Sequence, residues 1–560
     1  MARQLQTAQV QEQRVPDSVD AWIVGSSVAS LASAVHLICD ANVPASQIHI
    51  LESRSTPGDG IISIGDPLNG YDHRPGCMPT FNDACMERLL ALVPSTIGSG
   101  RTVLEDMKEL CANDHDGDVP GTHILIQGDH GPVKLDTRKS LNLKDRMDLM
   151  VLILKPEKIL ARKRINEFFR ESFFGSRFWI TLSTMWVARP KETDWTNAKW
   201  TNRFGFQPWH SATEFRRCLR RYSGEVRNLN TNRPLDCTKY NQFESIVTPT
   251  IGFLKHQGVD FQLNTKIKDI VTRLDSGTVS ISAIRALQDG AEETITVRPK
   301  DIVIISLGST TSGSSSGTNN DPPSMVTMEA ENGLDENWSI WLDLATQHPS
   351  FGDPYNFCTR ISESRLESFT VTLKDPEFFA RFINLTHDRP GLGTFVSLKD
   401  SNWMISICIP RQPFFYFQPE NINVFWGYGL RPDREGNFVR KPMLFCSGEE
   451  IMTELLSLLG FPSASIRRNS ITIPCVMPRR TASMLPRTCQ NRPNVIPDGT
   501  ANLAVIGQFV NIPDETTVSL DYSVRGAQFA VSQLMGIGKE PVSTNRLSSS
   551  FSRFWKLLLA

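Results

Sequence analysis

Long apolar runs are missing from this sequence: none approaches the roughly 20 residues that cross a bilayer. The start, Met1 to Asp20, is polar and Gln-rich, unlike a signal peptide. An excess of either charge is missing too. The 59 Lys and Arg nearly cancel the 60 Asp and Glu, leaving −1 without a long basic run, so the electrostatic footprint of a nucleic-acid binder is absent. The 11 cysteines are scattered, with no Cys-x-x-Cys pair and no His-rich ligand spacing, and neither a metal site nor a dithiol redox centre is expected. Unpaired cysteines suit a reducing cytosol, which makes a cytoplasmic location the expectation. No internal repeat is visible. At 560 residues the chain exceeds what one core holds, so several domains are expected.

What is present begins at Trp22-Ile23-Val24-Gly25-Ser26-Ser27-Val28-Ala29-Ser30, an apolar run, a small-residue turn and the start of an Ala-rich helix. Ile48-His49-Ile50-Leu51-Glu52 follows as a second apolar run ending in a carboxylate. This is the pattern of a βαβ dinucleotide-binding unit, with Gly25 at the tight turn and the helix N-terminus facing a pyrophosphate. Glu52, 27 residues after Gly25, is placed to accept from a ribose hydroxyl. Ser27 and Ser30 stand where the second and third glycines of the fingerprint are expected. Serine fits such a position only while φ stays negative. Two further buried strands with small-residue exits, Asp301 to Ser309 with Gly308 and Ser309, and Ala501 to Phe509 with Gly507, belong to the same cofactor edge. The loop Gly70 to Pro79, carrying Arg74, Gly76 and Met78, is expected to return over the cofactor.

Elsewhere the spacing predicts helices over Ala84 to Leu92, Glu449 to Leu459 and Asp521 to Met535, and a short strand over His123 to Gln127. Ser140 to Phe174 reads as a separate helical lid, with Leu143, Met147, Met150 and Leu154 on a repeating face. Trp186 to Arg203 reads as a surface insertion, and the Ser/Gly-rich stretch from Gly308 to Pro323 as a flexible loop. Within it Gly313-Ser314-Ser315-Ser316-Gly317 formally fits a nucleophile elbow, but no apolar helix follows. Phe414-Phe415-Tyr416-Phe417 is expected in a strand, two rings on each face. The tail Phe551 to Leu559 mixes aromatics, leucines and two cations, as weak peripheral contact with a membrane would require.

Taken in order, several stretches resemble one family, the FAD-containing oleate hydratases, also called myosin-cross-reactive antigens. They include Gly25 to Ala34, Phe206-Gln207-Pro208-Trp209-His210-Ser211-Ala212, Tyr240-Asn241-Gln242, Ser401-Asn402-Trp403-Met404, Arg411-Gln412-Pro413, Met484-Leu485-Pro486-Arg487 and Ser523-Val524-Arg525. The resemblance spans about residues 20 to 540. It implies an α/β (α+β) fold in which a Rossmann-like FAD-binding domain carries an inserted substrate domain and a helical lid. The divisions are 1–135 and 236–320 for the first and second parts of the FAD-binding domain, 136–235 for the lid and 321–490 for the substrate domain. Residues 491–540 form the C-terminal return and 541–560 the tail. The implied chemistry is addition of water to the cis double bond of an unsaturated fatty acid, without net redox change. The implied partner is a small apolar unsaturated substrate, and a homodimer is compatible with the family.

The resemblance is least complete at the reacting groups. The family's Glu, implicated with the water, falls at Met78, and its Tyr, implicated with the proton, at Cys218. Cys218 and His73, beside the loop arginine, are therefore the catalytic candidates. Gly25, Ser27, Ser30, Glu52, Arg74, Gly76, Met78, Gly308, Ser309 and Gly507 are the candidate FAD contacts. Gln242, Trp209, Cys408 and Phe414 are the candidate substrate contacts. Two alternatives stay open: a redox-neutral isomerase or cyclase acting on a polyene, and a lipid-binding protein without catalysis.

Overall fold

The computed structural model describes residues 13–58, 63–74, 83–95, 100–113, 122–129, 131–134, 142–183, 205–221, 238–328, 333–387, 394–538 and 541. The short β-branched runs Ala21–Val24, Ile48–Leu51 and Ile302–Ser306 are too apolar to face water. They lie at the centre of a five-stranded parallel sheet in the order Leu503–Ile506, Ile302–Ser306, Ala21–Val24, Ile48–Leu51 and Asp260–Gln262. Parallel strands are covered on both faces, which explains why Ile302–Ser306 is buried at every position. The crossover helix Val28–Cys39 is lined with Ala and Ser, and those small side chains let it pack closely against the C-terminal helix Leu520–Met535.

A second, eight-stranded sheet is mostly antiparallel. Its order is Ser315–Ser316, Ser470–Met477, Leu366–Leu373, Asn423–Gly429, Ile405–Ile409, Thr394–Leu398, Thr122–Gly128 and Gly131–Lys134. The last two strands correct the expected boundary at residue 135. Thr122–Gly128 pairs in parallel with Thr394–Leu398, so this stretch completes the second sheet, not the first. A hairpin, Ser63–Asp66 and Gly70–His73, lies on that sheet, with the Tyr71 and His73 amides donating to Thr372 Oγ1 and Thr370 Oγ1 at 2.9 and 3.0 Å.

Three local expectations change. Ser315–Ser316 is an edge strand paired with Val476 and Cys475, which excludes a strand-turn-helix elbow there. Phe414 to Phe417 form a turn: Phe414 and Phe415 are buried, Tyr416 and Phe417 exposed. In the helix Leu143–Leu154 the buried side chains are Asp145, Leu149 and Leu152, while Leu143, Met147 and Leu154 face outward. The tail Phe551 to Leu559, the insertion Trp186 to Arg203, Gly76 and Met78 lie outside the described residues. Among the described residues no helix is long and apolar enough to cross a membrane.

One residue of the second sheet works against the fold. Glu367 is fully buried, and neither carboxyl oxygen has a hydrogen-bond partner among the described residues. Burial pushes its carboxyl well above the usual 4.5. A raised acid favours the folded state below the ordinary value and loses that advantage as pH climbs from there to the folded value. Glu367→Gln is therefore expected to match the parent at pH 4 and to exceed it at pH 8, by about 1.4 kcal/mol for each unit of raised pKa crossed. Thermal melts at the two pH values check this, and an equal shift at both would contradict it.

Candidate functional site

The carboxyl edge of the parallel sheet gathers most of the cofactor candidates. Across it, in strand order, come Gly507, Gly308, Gly25 and Glu52. Gly25 leaves its strand at φ +85°, and a Cβ there would sit 3.2 Å from Asn337 Oδ1. Ser27 caps the following helix at φ −60°, so serine occupies the glycine position without strain. Its hydroxyl turns inward, 3.1 Å from both Ser30 Oγ and Ser306 Oγ. The two substituted glycine positions thus bond to each other and, through Ser27, to the neighbouring strand. Glu52 is buried at the adjacent strand end. Its carboxylate accepts from the Ser26 and Arg54 amides, both at 3.0 Å, which fixes its orientation.

A small cleft here is lined by Gly25, Leu51, Glu52, Ser53, Arg54, Asp335, Glu336 and Asn337. Asp335 and Glu336 were not found by sequence reasoning. Their signal was available, an Asp-Glu pair directly before the helical period Trp338, Trp341, Leu344. Burial raises Asp335 to about 6 and Glu336 to about 7. Asp335 Oδ2 has no partner among the described residues and remains an open acceptor. Gly308 serves packing as well as the turn, because a Cβ there would fall 2.8 Å from the Phe509 ring. Ser309 bonds Thr311 through its hydroxyl, and its carbonyl accepts from Trp338 Nε1.

The nine residues from Gly308 to Ser316, eight steps of chain, connect this edge to the outer strand of the second sheet, a span of at most about 29 Å. There Arg74 sits 3.5 Å from Asp72 and donates to Ser316 Oγ, which in turn donates to Asp72. On the other side of the same hairpin strand His73 enters an aromatic pocket. Its Nδ1 is 2.9 Å from Ser63 Oγ, and its ring meets Phe414 edge-on at 4.9 Å and Trp426 at 5.7 Å. Tyr71 stacks on Phe415 beside it, and Cys408 belongs to the same buried cluster. The Asn241 amide donates to the Phe414 carbonyl, which places Gln242 next to this wall. His73, Gln242, Cys408 and Phe414 are thus brought together from three separate stretches, Cys408 and Phe414 sharing one.

Trp209 and Cys218 are not part of that group. Trp209 Nε1 donates to the Glu363 carbonyl, so its indole anchors the lid segment. Cys218 is packed among Phe169, Phe173, Trp179 and Phe215 in the lid core. Burial pushes its thiol well above its ordinary value of 9.0 and keeps it neutral.

The sequence matches the model of the MCRA family over residues 18–532. The chain belongs to the MCRA family. It is 34% identical over 533 residues to an oleate hydratase of Streptococcus pyogenes serotype M49 (strain NZ131), covering 92% of this chain and 86% of that protein. It is 28% identical over 559 residues to a linoleate hydratase of Lactiplantibacillus plantarum, covering 92% and 94%. Cyclohexylamine oxidase from Brevibacterium oxydans IH-35A, a solved structure, superposes with a TM-score of 0.49 at 11% identity, covering 93% of this chain and 99% of its own. In this MCRA chain the strand-exit glycines, the helix N-terminus and the oriented Glu52 are the donor and acceptor set that a dinucleotide needs, so the residues present fit FAD.

Proposed function

We propose that this chain binds FAD along the carboxyl edge of the parallel sheet and hydrates a carbon–carbon double bond of an unsaturated, largely apolar lipid. The lipid lies against the aromatic wall of the second sheet. The observation that carries the reading is His73, a titratable ring held by Ser63 and walled by Phe414 and Trp426, in a chain whose relatives are hydratases.

Hydration of an alkene needs a proton donor at one carbon and water at the other as positive charge develops, the water releasing one proton as the C–O bond forms, which restores the donor through solvent. In this reading His73 holds that proton, supported by the Ser63 hydroxyl 2.9 Å from its Nδ1, which orients the ring. The faces of Phe414 and Trp426 stabilise the developing cation. Exclusion of bulk water by the same rings limits competing reactions. Gly25 and the first amides of the Val28–Cys39 helix would hold the FAD diphosphate and Glu52 its ribose. When bound, the flavin supplies a planar polar wall and no net redox change.

Purified protein supplied with FAD is expected to be yellow, and to convert oleic acid in ¹⁸O-labelled water into a labelled hydroxy acid detected by mass spectrometry. Gly25→Val, which forces a side chain into a φ of +85°, is expected to weaken flavin binding at least about tenfold. His73→Ala is expected to keep the flavin and lose about 100-fold or more in turnover. A colourless protein that refuses FAD overturns the cofactor assignment, and full turnover by His73→Ala overturns the acid. The burial of Cys218 away from the pocket favours one second reading, isomerisation or cyclisation of a polyene, for which the product carries no label.

A further inference from the structure

The helix Leu143–Leu154 has two apolar faces. One, with Leu149 and Leu152, packs into the lid core. The other carries Leu143, Met147, Val151 and Leu154 at steps of four, four and three residues, one stripe of a helix. These side chains are 73, 59, 49 and 57% exposed, and Ile159, on the short helix Glu157–Leu160 that follows, is 57% exposed. Water-facing apolar side chains scattered singly are ordinary, but four in one stripe along about 17 Å of helix are not.

The charge around the stripe says what covers it. Residues 142–164 hold seven Lys and Arg against three Asp and Glu, in a chain whose net charge is −1. Of the three acids, Asp145 is buried and Glu157 is tied to Arg216 and Arg217. Lys144, Lys158 and Arg162 are exposed and form no ion pair among the described residues. We propose that this helix seats the chain on an anionic lipid bilayer, its stripe entering the acyl boundary and its lysines and arginine meeting the headgroups. An amphipathic helix with an apolar face and flanking cations binds in this way. Long cationic side chains reach the headgroup level while their stems cover apolar surface. A second copy of the chain is the poorer occupant. The like-charged flanks would repel each other, and one helix face offers well under the roughly 800 Å² per partner of a stable dimer.

Co-sedimentation of the full chain with vesicles tests the proposal without any substrate, so its outcome is independent of the hydration reading. The protein is expected to pellet about tenfold more with phosphatidylcholine vesicles containing phosphatidylglycerol than with phosphatidylcholine alone, and to be released by salt. Met147→Glu with Val151→Glu is expected to cut pelleting about tenfold, and Lys144→Glu with Lys158→Glu to abolish the preference for the anionic vesicles. All four side chains are exposed and outside the core, so the charge-reversal pair is expected to keep its melting profile. Unchanged pelleting in both variants overturns the proposal, whether the protein binds through its tail or through another surface. It is also overturned if ultracentrifugation without lipid shows a dimer that Met147→Glu with Val151→Glu splits.

Discussion

Replacing Glu214 with Ala is expected to destabilise the protein by about 3–5 kcal/mol, the range found when one partner is removed from a buried ion pair. Glu214 lies on the helix Ala212–Arg221 and is fully buried. Arg487 Nη2 donates to it at 2.7 Å and Arg492 Nη1 at 3.3 Å, and both guanidinium groups are equally inaccessible. Burial by itself would raise this carboxyl. The charges of Arg492, Arg487 and Arg217 outweigh burial and hold it near 2, so it is ionised at every working pH. Alanine leaves two buried cations facing each other. Arg221 at the end of the same helix reaches Asp83, Glu515 and Asp521, so this single helix ties the lid to the dinucleotide-binding unit. The urea midpoint of Glu214→Ala, set beside the exposed control Glu171→Ala, measures the effect. A loss below about 1 kcal/mol, the scale of a surface pair, would contradict it.

Acid should destabilise the native protein through His210. Burial lowers this imidazole from the ordinary 6.5 to about 3. Its Nδ1 accepts from the Gln207 amide at 3.0 Å, and its Nε2 lies 3.2 Å from Thr481 Oγ1. The folded protein therefore refuses a proton that the unfolded chain takes up below about pH 6.5. For a lowered histidine the unfolded state binds more protons in that window, so stability rises with pH until 6.5 and is level above it. The loss between pH 6.5 and 3 is on the order of 4 kcal/mol. Melting temperatures of the wild type are expected to fall more steeply below pH 6.5 than those of His210→Gln. Parallel curves would show that this ring does not set the acid limit.

The two halves of the site were unequally legible. The cradle could be read because a βαβ unit writes its turn, helix start and carboxylate into one continuous stretch, Gly25 to Glu52. Ser27 and Ser30 stand where the fingerprint has glycines. In the folded chain they bond to each other and to Ser306, a partner 279 residues from Ser27 that no local pattern reveals. On the substrate side, residue type alone did not separate Cys218, which packs in the lid core, from Cys408, which packs in the aromatic cluster of the second sheet. Both are single cysteines in apolar surroundings, and only the pairing of distant strands distinguishes them.

By itself the sequence determined the α/β character, the parallel strands and the family, because these rest on local periodicity and on ordered motifs along one chain. Tertiary structure decided which face of each element meets which partner. A helical period of Leu143, Met147 and Leu154 promises one apolar stripe but carries no sign of whether protein covers it, and here the covered stripe is Leu149 and Leu152. Likewise His73 acquires an aromatic pocket only because its hairpin lies across a sheet whose Phe414 and Trp426 come from more than 300 residues later. Burial is a property of the assembled surface, and no local spacing encodes it.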